Sequence, residues 1–263
     1  MQFKTIRLDV ADHLATLTLN RPDKLNALSV ELLLEMAEAL KHVLSTQDIR
    51  ALLITGAGRA FCTGADLTDA NPPIKLNPND PEQRLRDYYA PVFHLVMDAK
   101  IPTVAAVNGT CAGAGMSLAL VCDITFAARS AYFIQAFVNV GLVPDNGSSW
   151  ILPHTIGPAR ANALMLLGDR LPAETAAEWG LIWKCVDDDK LMEEAGAVAT
   201  RLANGPTITY GQIKNVAKVA WKNSLRDQIA LESATQNIVR ASEDSREARA
   251  AFVEKRKPKF TGR

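Results

Sequence analysis

Three short, almost wholly apolar runs do most to restrict what this chain can become: ALLIT (51–55), TVAAV (103–107) and ITFAA (124–128). Each is too short for a stable helix and offers no polar face to water, so each reads as a strand covered on both sides. Strands of that kind belong to parallel sheets whose faces carry helices. Residues 28–44 supply one such helix, with apolar residues at helical spacing, Ser29 placed as N-cap and Glu31 in the first turn. The pattern predicts an α/β fold.

Other segments fill in around these strands. Ile6, Leu8 and Val10 alternate with polar residues, and after Ala11-Asp12-His13 the alternation resumes over Leu14–Leu19, as in two strands joined by a tight turn. The stretch 68–82, rich in Asn, Asp and Pro, reads as an exposed, mobile excursion. A helix is expected over 84–97, kinked near Pro91, another around Met116–Val121, and a last strand at LIWKCV (181–186). From Asp188 the pattern is helical almost throughout, broken at Gly205-Pro206 and near Asn223-Ser224, and Asp244 with Glu247 is spaced as a capping box. These readings divide the chain into a core, 1–195, and a C-terminal helical region, 196–263.

Charge and cysteine usage remove several functions. Lys+Arg and Asp+Glu both number 29, so the chain as a whole offers no basic field for nucleic acid. Cys62, Cys111, Cys122 and Cys185 form no C-x-x-C pair and the four histidines are scattered, which argues against zinc and against a disulfide framework; buried free thiols are expected. The start, MQFKTIRLDV, is charged at once and does not resemble a signal peptide. The longest weakly polar run, Gly109–Cys122, is glycine-broken and too short to span a bilayer. A soluble cytoplasmic protein with no membrane, nucleic-acid or metal partner is the expectation.

Two glycine-bearing turns share one design, each following a short buried strand: GAGRAFCTGADL (56–67) and NGTCAGAGMSLAL (108–120). In the second, the amides of Ala114 and Gly115 fall at a helix start, where N–H groups lack intrahelical partners. Two such amides converging on one oxygen would make an oxyanion hole. Taken singly, either turn reads more readily as a tight strand-to-helix connection. Neither matches G-x-G-x-x-G, because Phe61 and Leu118 stand at the last glycine positions. A third segment, GLVPDNGSSW (141–150), puts Asp145 among apolar sequence neighbours: Val138, Val140, Leu142, Val143, Trp150 and Ile151. Burial there would raise its pKa and suit it to proton transfer; an exposed turn or a helix cap is the other reading.

Taken together and in this order, these segments resemble the crotonase (enoyl-CoA hydratase/isomerase) superfamily. NRPDKLNAL (20–28) is similar to its CoA-contacting loop, FCTGADL (61–67) and the run from Asn108 to Asp123 to its two oxyanion segments, GLVPDNGSSWILP (141–153) to its acid/base segment, and FVEKRKPKFTGR (252–263) to its tail. The resemblance implies a ββα spiral core with a C-terminal helical trimerisation region. It implies an acyl-CoA thioester as substrate, no separate cofactor, and a homotrimer or dimer of trimers. It assigns the oxyanion amides to Ala65 and Ala114, next to Gly115, and places Lys24, Leu25, Ala27, Asp66 and Leu67 along CoA. Lys257 and Phe260 fall where a neighbouring subunit's tail touches CoA.

Departures from the family pattern point to the reaction. Hydratases of the family use two glutamates, and this chain has Ser117 and Phe137 at those positions, neither of which can act as a carboxylate base. Asp145 stands where isomerases of the family carry a single carboxylate. TGAGRAFCTGADL, AFVNVGLVPDNG and AEWGLIWKCVDD (177–188) are similar to the branch that acts on ring-1,2-epoxyphenylacetyl-CoA and also moves double bonds from C3 to C2 of enoyl thioesters, although that branch has a Cys-Gly-Gly-Thr-like run where this chain has Asn146-Gly147-Ser148-Ser149. The expectation is an acyl-CoA isomerase with Asp145, Ala65 and Ala114 as its catalytic set. The rivals are an unusual enoyl-CoA hydratase and a non-catalytic acyl-CoA-binding member.

Overall fold

The computed structural model describes residues 2–69, 72–80 and 82–263. The chain winds through repeated strand–strand–helix units. β1 (Ile6–Ala11) and β2 (Leu14–Leu19) pair antiparallel, and Asp12 and His13 take φ of 48° and 67°, the tandem left-handed pair that a two-residue hairpin turn requires. α1 (Val30–Ser45) follows; the Ser29 hydroxyl accepts from the Leu32 amide at its start, and Leu32, Leu33, Met36, Leu40 and Val43 face the core. The second unit is β3 (Ala51–Gly56), β4 (Ala60–Cys62) and α2 (Ala90–Met97). The third is β5 (Thr103–Val107), β6 (Thr110–Ala112) and α3 (Ala114–Leu120). The fourth is β7 (Ile124–Ala128), β8 (Tyr132–Ile134) and α4 (Ser148–Leu167). Then come β9 (Arg170–Pro172), α5 (Ala173–Glu178), β10 (Lys184–Val186) and α6 (Leu191–Ala203).

Both strands of the first unit, the first strand of each later unit and β10 make a six-stranded sheet ordered β1-β2-β3-β5-β7-β10, parallel from β2 onward. The second strands of the later units, with β9, make a four-stranded sheet ordered β4-β6-β8-β9. This is the ββα spiral. Every position of β5 is buried, as is all of β3 but its last residue, because α6 packs on the large sheet over β3, β5 and β7. The segments read as glycine-rich loops each contain a three-residue strand, β4 and β6, too short to show a period in sequence. Pro91 does mark a defect in its helix. It has no N–H to give to Asp87, and the Ala90 amide reaches back five residues to the Leu85 carbonyl, so Leu85–Tyr89 forms a π-helical turn ahead of α2.

Beyond α6, α7 (Thr207–Ala220), α8 (Leu225–Arg240) and α9 (Glu243–Val253) complete the chain. The boundary expected at 195/196 falls inside α6; the helices that leave the sheet begin with α7. α7 is tied down by Lys214, whose ammonium donates to the Ile101 carbonyl and pairs with Asp123 at 2.7 Å. α8 buries no residue, and Leu225, Ile229 and Ile238 on it are exposed, as are Trp221, Phe252 and Val253.

The Asp244–Glu247 capping box does not form. Ser242 caps α9 by accepting from the Ser245 amide, which frees both acids for the C-terminal tail. Asp244, 2% exposed, accepts from the amides of Thr261 and Gly262 at 2.7 and 2.9 Å, and Glu247 holds Arg256 and the Lys259 amide. Arg50, at the start of β3, donates to the Phe260 carbonyl. Asp244→Ala leaves two amides without acceptors, so a loss of about 2–3 kcal/mol in unfolding free energy is expected, with early proteolytic release of the tail. Thermal melts and limited proteolysis read both.

Candidate active site

The N-terminal loop and the first glycine turn are built as one unit. Pro22–Lys24 forms a single 3₁₀ turn, Leu25 and Asn26 take left-handed φ of 50° and 55°, and the Asn26 side chain, fully buried, donates to the carbonyls of Ala57 and Ala60. Arg21 donates to the Ala27 carbonyl and to Asp66 at 2.9 Å. Burial alone would raise the Asp66 carboxyl, but bonds from Thr68 and Arg21 hold it below its ordinary value. Asp66 is thus an ionised internal brace, committed to Arg21 and Thr68. Lys24 is exposed, Leu25 is half-buried, Ala27 is buried, and Leu67 is 76% exposed beside them.

The same brace orients an amide. Leu28 and Ala65 form an isolated parallel bridge in which Leu28 donates to the Gly64 carbonyl and accepts from the Asp66 amide. That pattern uses the groups flanking Ala65 and turns the Ala65 N–H away. Neither the Ala65 nor the Ala114 N–H has an acceptor among the described residues. The two are brought together by glycine. Gly64 has φ 89° and Gly113 φ 51°, and a methyl group on Gly64 would stand 2.9 Å from the Ala112 carbonyl oxygen and 3.4 Å from the Ala114 nitrogen. The turns therefore abut backbone to backbone, with the unpaired amides of Ala65 and Ala114 on the residues that follow the two contacting glycines. Gly115 lies buried in α3 directly behind Ala114.

Asp145 sits between a 3₁₀ turn at Val138–Val140 and the start of α4. Most of the apolar sequence neighbours expected to shield it do not: Leu142 and Val143 are 58% and 80% exposed, and Val138 and Val140 also face out, while Ile151 and the half-exposed Trp150 line its cavity. The rest of the shielding comes from elsewhere. Asp145 lines a cavity of about 1280 Å³ whose wall includes Phe93 and Met97 of α2, Ile151 of α4 and Ile213 of α7. Burial pushes its carboxyl above the ordinary aspartate value, and the Asn146 amide, donating to Oδ1 at 2.7 Å, pulls part of the way back. The other oxygen, Oδ2, has no partner among the described residues. Asn146 holds φ 49°, a conformation glycine adopts without strain. Asn146→Gly therefore deletes the amide and keeps the turn. The Asp145 carboxyl then rises further, and the acidic limb of the pH–rate profile for any reaction using carboxylate 145 is expected to move to higher pH.

Ser117 and Phe137 lie where the site closes. Phe137 is buried, and its ring tip lies 3.7 Å from the position a Gly113 methyl would take, so an apolar ring packs against the second turn. Ser117 is fully buried in α3, three residues or about 4.5 Å of helix rise past Ala114. Its hydroxyl is 2.6 Å from the Ser148 hydroxyl and 3.3 Å from the Asp145 carbonyl, which links the second turn to the Asp145 loop. Ser148 and Asn146 thus belong to the site, as does Gln135, whose Nε2 donates to the Ser148 hydroxyl at 3.2 Å; the acid/base segment contained the first two without giving them a role, and no sequence motif marked Gln135. Lys257 and Phe260 are not brought to it within one chain: Phe260 is held by Arg50 at the start of β3, and the glycine turn follows the other end of that strand, roughly 20 Å away.

No group of three metal-ligating side chains occurs among the described residues, and no helix there is long and apolar enough to cross a membrane. Cys62, Cys111 and Cys122 are buried and Cys185 is partly exposed; burial pushes the Cys62 thiol up to about 12, so it is protonated near neutrality.

A spiral of ββα units that presents two unpaired amides from abutting glycine turns defines the crotonase fold. Residues 9–263 match the family described as enoyl-CoA hydratase/isomerase, and the chain belongs to that family. It is 46% identical over 252 residues to the 1,2-epoxyphenylacetyl-CoA isomerase of Escherichia coli K12, covering 94% of this chain and 95% of that one. It is 41% identical over 264 residues, spanning both chains completely, to a Rhodobacter capsulatus protein named "Probable enoyl-CoA hydratase". Among solved structures, a Mycobacterium abscessus protein described as a "putative Enoyl-CoA hydratase/isomerase" superposes with a TM-score of 0.92 at 36% identity, over 98% of this chain and all of that one.

Proposed function

We propose that this family member is a CoA-thioester isomerase that works through a single carboxylate. The observation that carries the reading is Asp145: half-buried, with one oxygen anchored and one unpartnered, in a site whose positions 117 and 137 hold serine and phenylalanine. The thioester oxygen sits between the Ala65 and Ala114 amides, which stabilise the enolate formed when Oδ2 of Asp145 removes a C2 proton. For a 3-enoyl thioester, the electron pair shifts, the double bond moves to C2–C3, and Asp145 returns the proton at C4. For a ring-1,2-epoxyphenylacetyl thioester, the same enolate drives cleavage of the epoxide and expansion of the ring to an oxepin, and the proton held by Asp145 returns to a ring carbon, so that no atom is gained or lost. CoA enters as part of the substrate and no further cofactor is required.

Lys24, Leu25, Ala27 and Leu67 contribute the CoA-facing rim in this reading, with Asp66 bracing it from within. The exposed apolar residues of α8 and α9 are proposed to be covered in a homotrimer, or a dimer of trimers, where a neighbour's Lys257 and Phe260 could approach the rim. Sedimentation of the purified chain tests that assembly. The reaction is tested with a panel of CoA thioesters, including the ring epoxide, a 3-enoyl ester and crotonyl-CoA. Double-bond migration or oxepin formation supports the proposal. Water addition to crotonyl-CoA without isomerisation would replace it with a hydratase.

A further inference from the structure

Three side chains behind Asp145 form, with its own carbonyl, one directed run of hydrogen bonds. Gln135 is fully buried, and its Nε2 stands 3.2 Å from the Ser148 hydroxyl oxygen. Ser148, also fully buried, is 2.6 Å from the Ser117 hydroxyl. Ser117 is 3.3 Å from the Asp145 carbonyl oxygen and only distantly placed on its alternative acceptor, the Gly113 carbonyl, at 3.5 Å. An amide N–H can only donate, and a carbonyl can only accept. The two ends therefore fix the order: Gln135 donates to Ser148, Ser148 to Ser117, and Ser117 to Asp145. Each hydroxyl accepts once and donates once, and bonds aligned in this way polarise one another. The Asp145 carbonyl also accepts from the Ser148 amide at 3.1 Å, so Ser148 grips the same peptide group twice, once directly and once through Ser117.

The placement matters because of what each end carries. Ser117 lies one helical turn past Ala114 on the same rigid segment, and Asp145 carries the carboxylate. The left-handed Asn146 and Gly147 that follow Asp145 leave its loop without regular backbone pairing until α4 begins. No other hydrogen bond among the described residues ties that loop to α3.

We infer that Ser117 and Ser148, backed by Gln135, are positioning residues that set the distance between the Asp145 carboxylate and the Ala114 amide. The inference rests on the isomerase reading above. It also gives serine 117 a purpose of its own: the site has exchanged a reacting group for a strut that aims the remaining one. Ser148 sits 2.6 Å away, which leaves no room for a longer side chain at 117 without displacing the Asp145 loop.

The test uses the full-length protein with Ser117→Ala, Ser148→Ala and the double variant. Each single variant is expected to lose about 10- to 100-fold in kcat for double-bond migration with KM near the parent value, since small misplacement of a reacting group acts on turnover. Each is also expected to speed amide hydrogen exchange across residues 143–152 about tenfold, as a loop loses its local protection. Removing both hydroxyls leaves no unmatched partner between them, so the double variant should regain much of the melting temperature lost by the singles. A strut predicts that its kcat stays low. If kcat recovers together with melting temperature, or if exchange over 143–152 is unchanged, the inference is overturned. Should the parent protein show no isomerisation of any thioester, the functional reading fails on that result alone, and the exchange measurement still decides whether the strut exists.

Discussion

Asp145→Asn is expected to reduce the rate of double-bond migration by roughly 10³-fold, within the range typical for loss of a positioned general base. Asparagine keeps the shape of the side chain and the partial burial of the site, but its amide cannot take a C2 proton at neutral pH. CoA-ester affinity should stay within about threefold, because the rim proposed to face CoA is built by 24–27 and 65–67, on separate elements. Isothermal titration with a saturated acyl-CoA and a spectrophotometric isomerase assay separate the two quantities. Retained turnover with normal binding would remove Asp145 from the chemistry. The parent pH profile offers a matching check. Burial raises the Asp145 carboxyl and the reactive form is the anion, so activity should fall on the acid side at a pH above that of an ordinary aspartate.

Gly64→Ala is expected to cost about 10²-fold in turnover, the scale of losing one oxyanion donor. Gly64 is not proposed to touch substrate. Its φ of 89° disfavours any Cβ, and the added methyl would stand 2.9 Å from the Ala112 carbonyl oxygen, so the two turns must move apart. The Ala65 and Ala114 amides then lose their common focus. Because the proposed oxyanion hole is made wholly of backbone, this indirect route is how a side-chain substitution reaches it. A melting curve near that of the parent with reduced kcat places the damage in the hole, whereas parent-like kcat would show that the amides do not need the glycine contact.

The parts of this molecule that were legible in sequence are those where one physical demand dominates. β3, β5 and β7 announce themselves because strands covered on both faces tolerate almost nothing polar. The β1–β2 hairpin and the Ser29 cap follow from alternation and from a hydroxyl ahead of an apolar period. β4, β6, β8 and β9 span three residues each, less than two periods of a strand, and exist only because the spiral lays them side by side. The site divides in the same way. Gly64, Gly113 and Asp145 stand out as residue types with a special use. Gln135, Ser117 and Ser148 are ordinary polar residues whose alignment comes from three different elements, so no local pattern could reveal it. Asp145 was expected to be shielded by its chain neighbours; of these Ile151 and Trp150 line its cavity, Leu142 and Val143 turn outward, and the remaining cover comes from helices α2 and α7, distant in sequence. Asp244 misled for a related reason, since a spacing suited to a cap serves equally well to hold a tail.

The position of α6 bears on how the molecule is made. Its small residues, among them Ala195 and Ala199, close one face of the large sheet, yet they arrive about 150 residues after β3 has left the ribosome. At roughly 5–20 residues per second, that leaves a greasy β-surface uncovered for about 7–30 s in every nascent chain. Bulky substitutions in α6 should therefore register first as poor recovery during expression at higher temperature, and only afterwards as weakened finished protein.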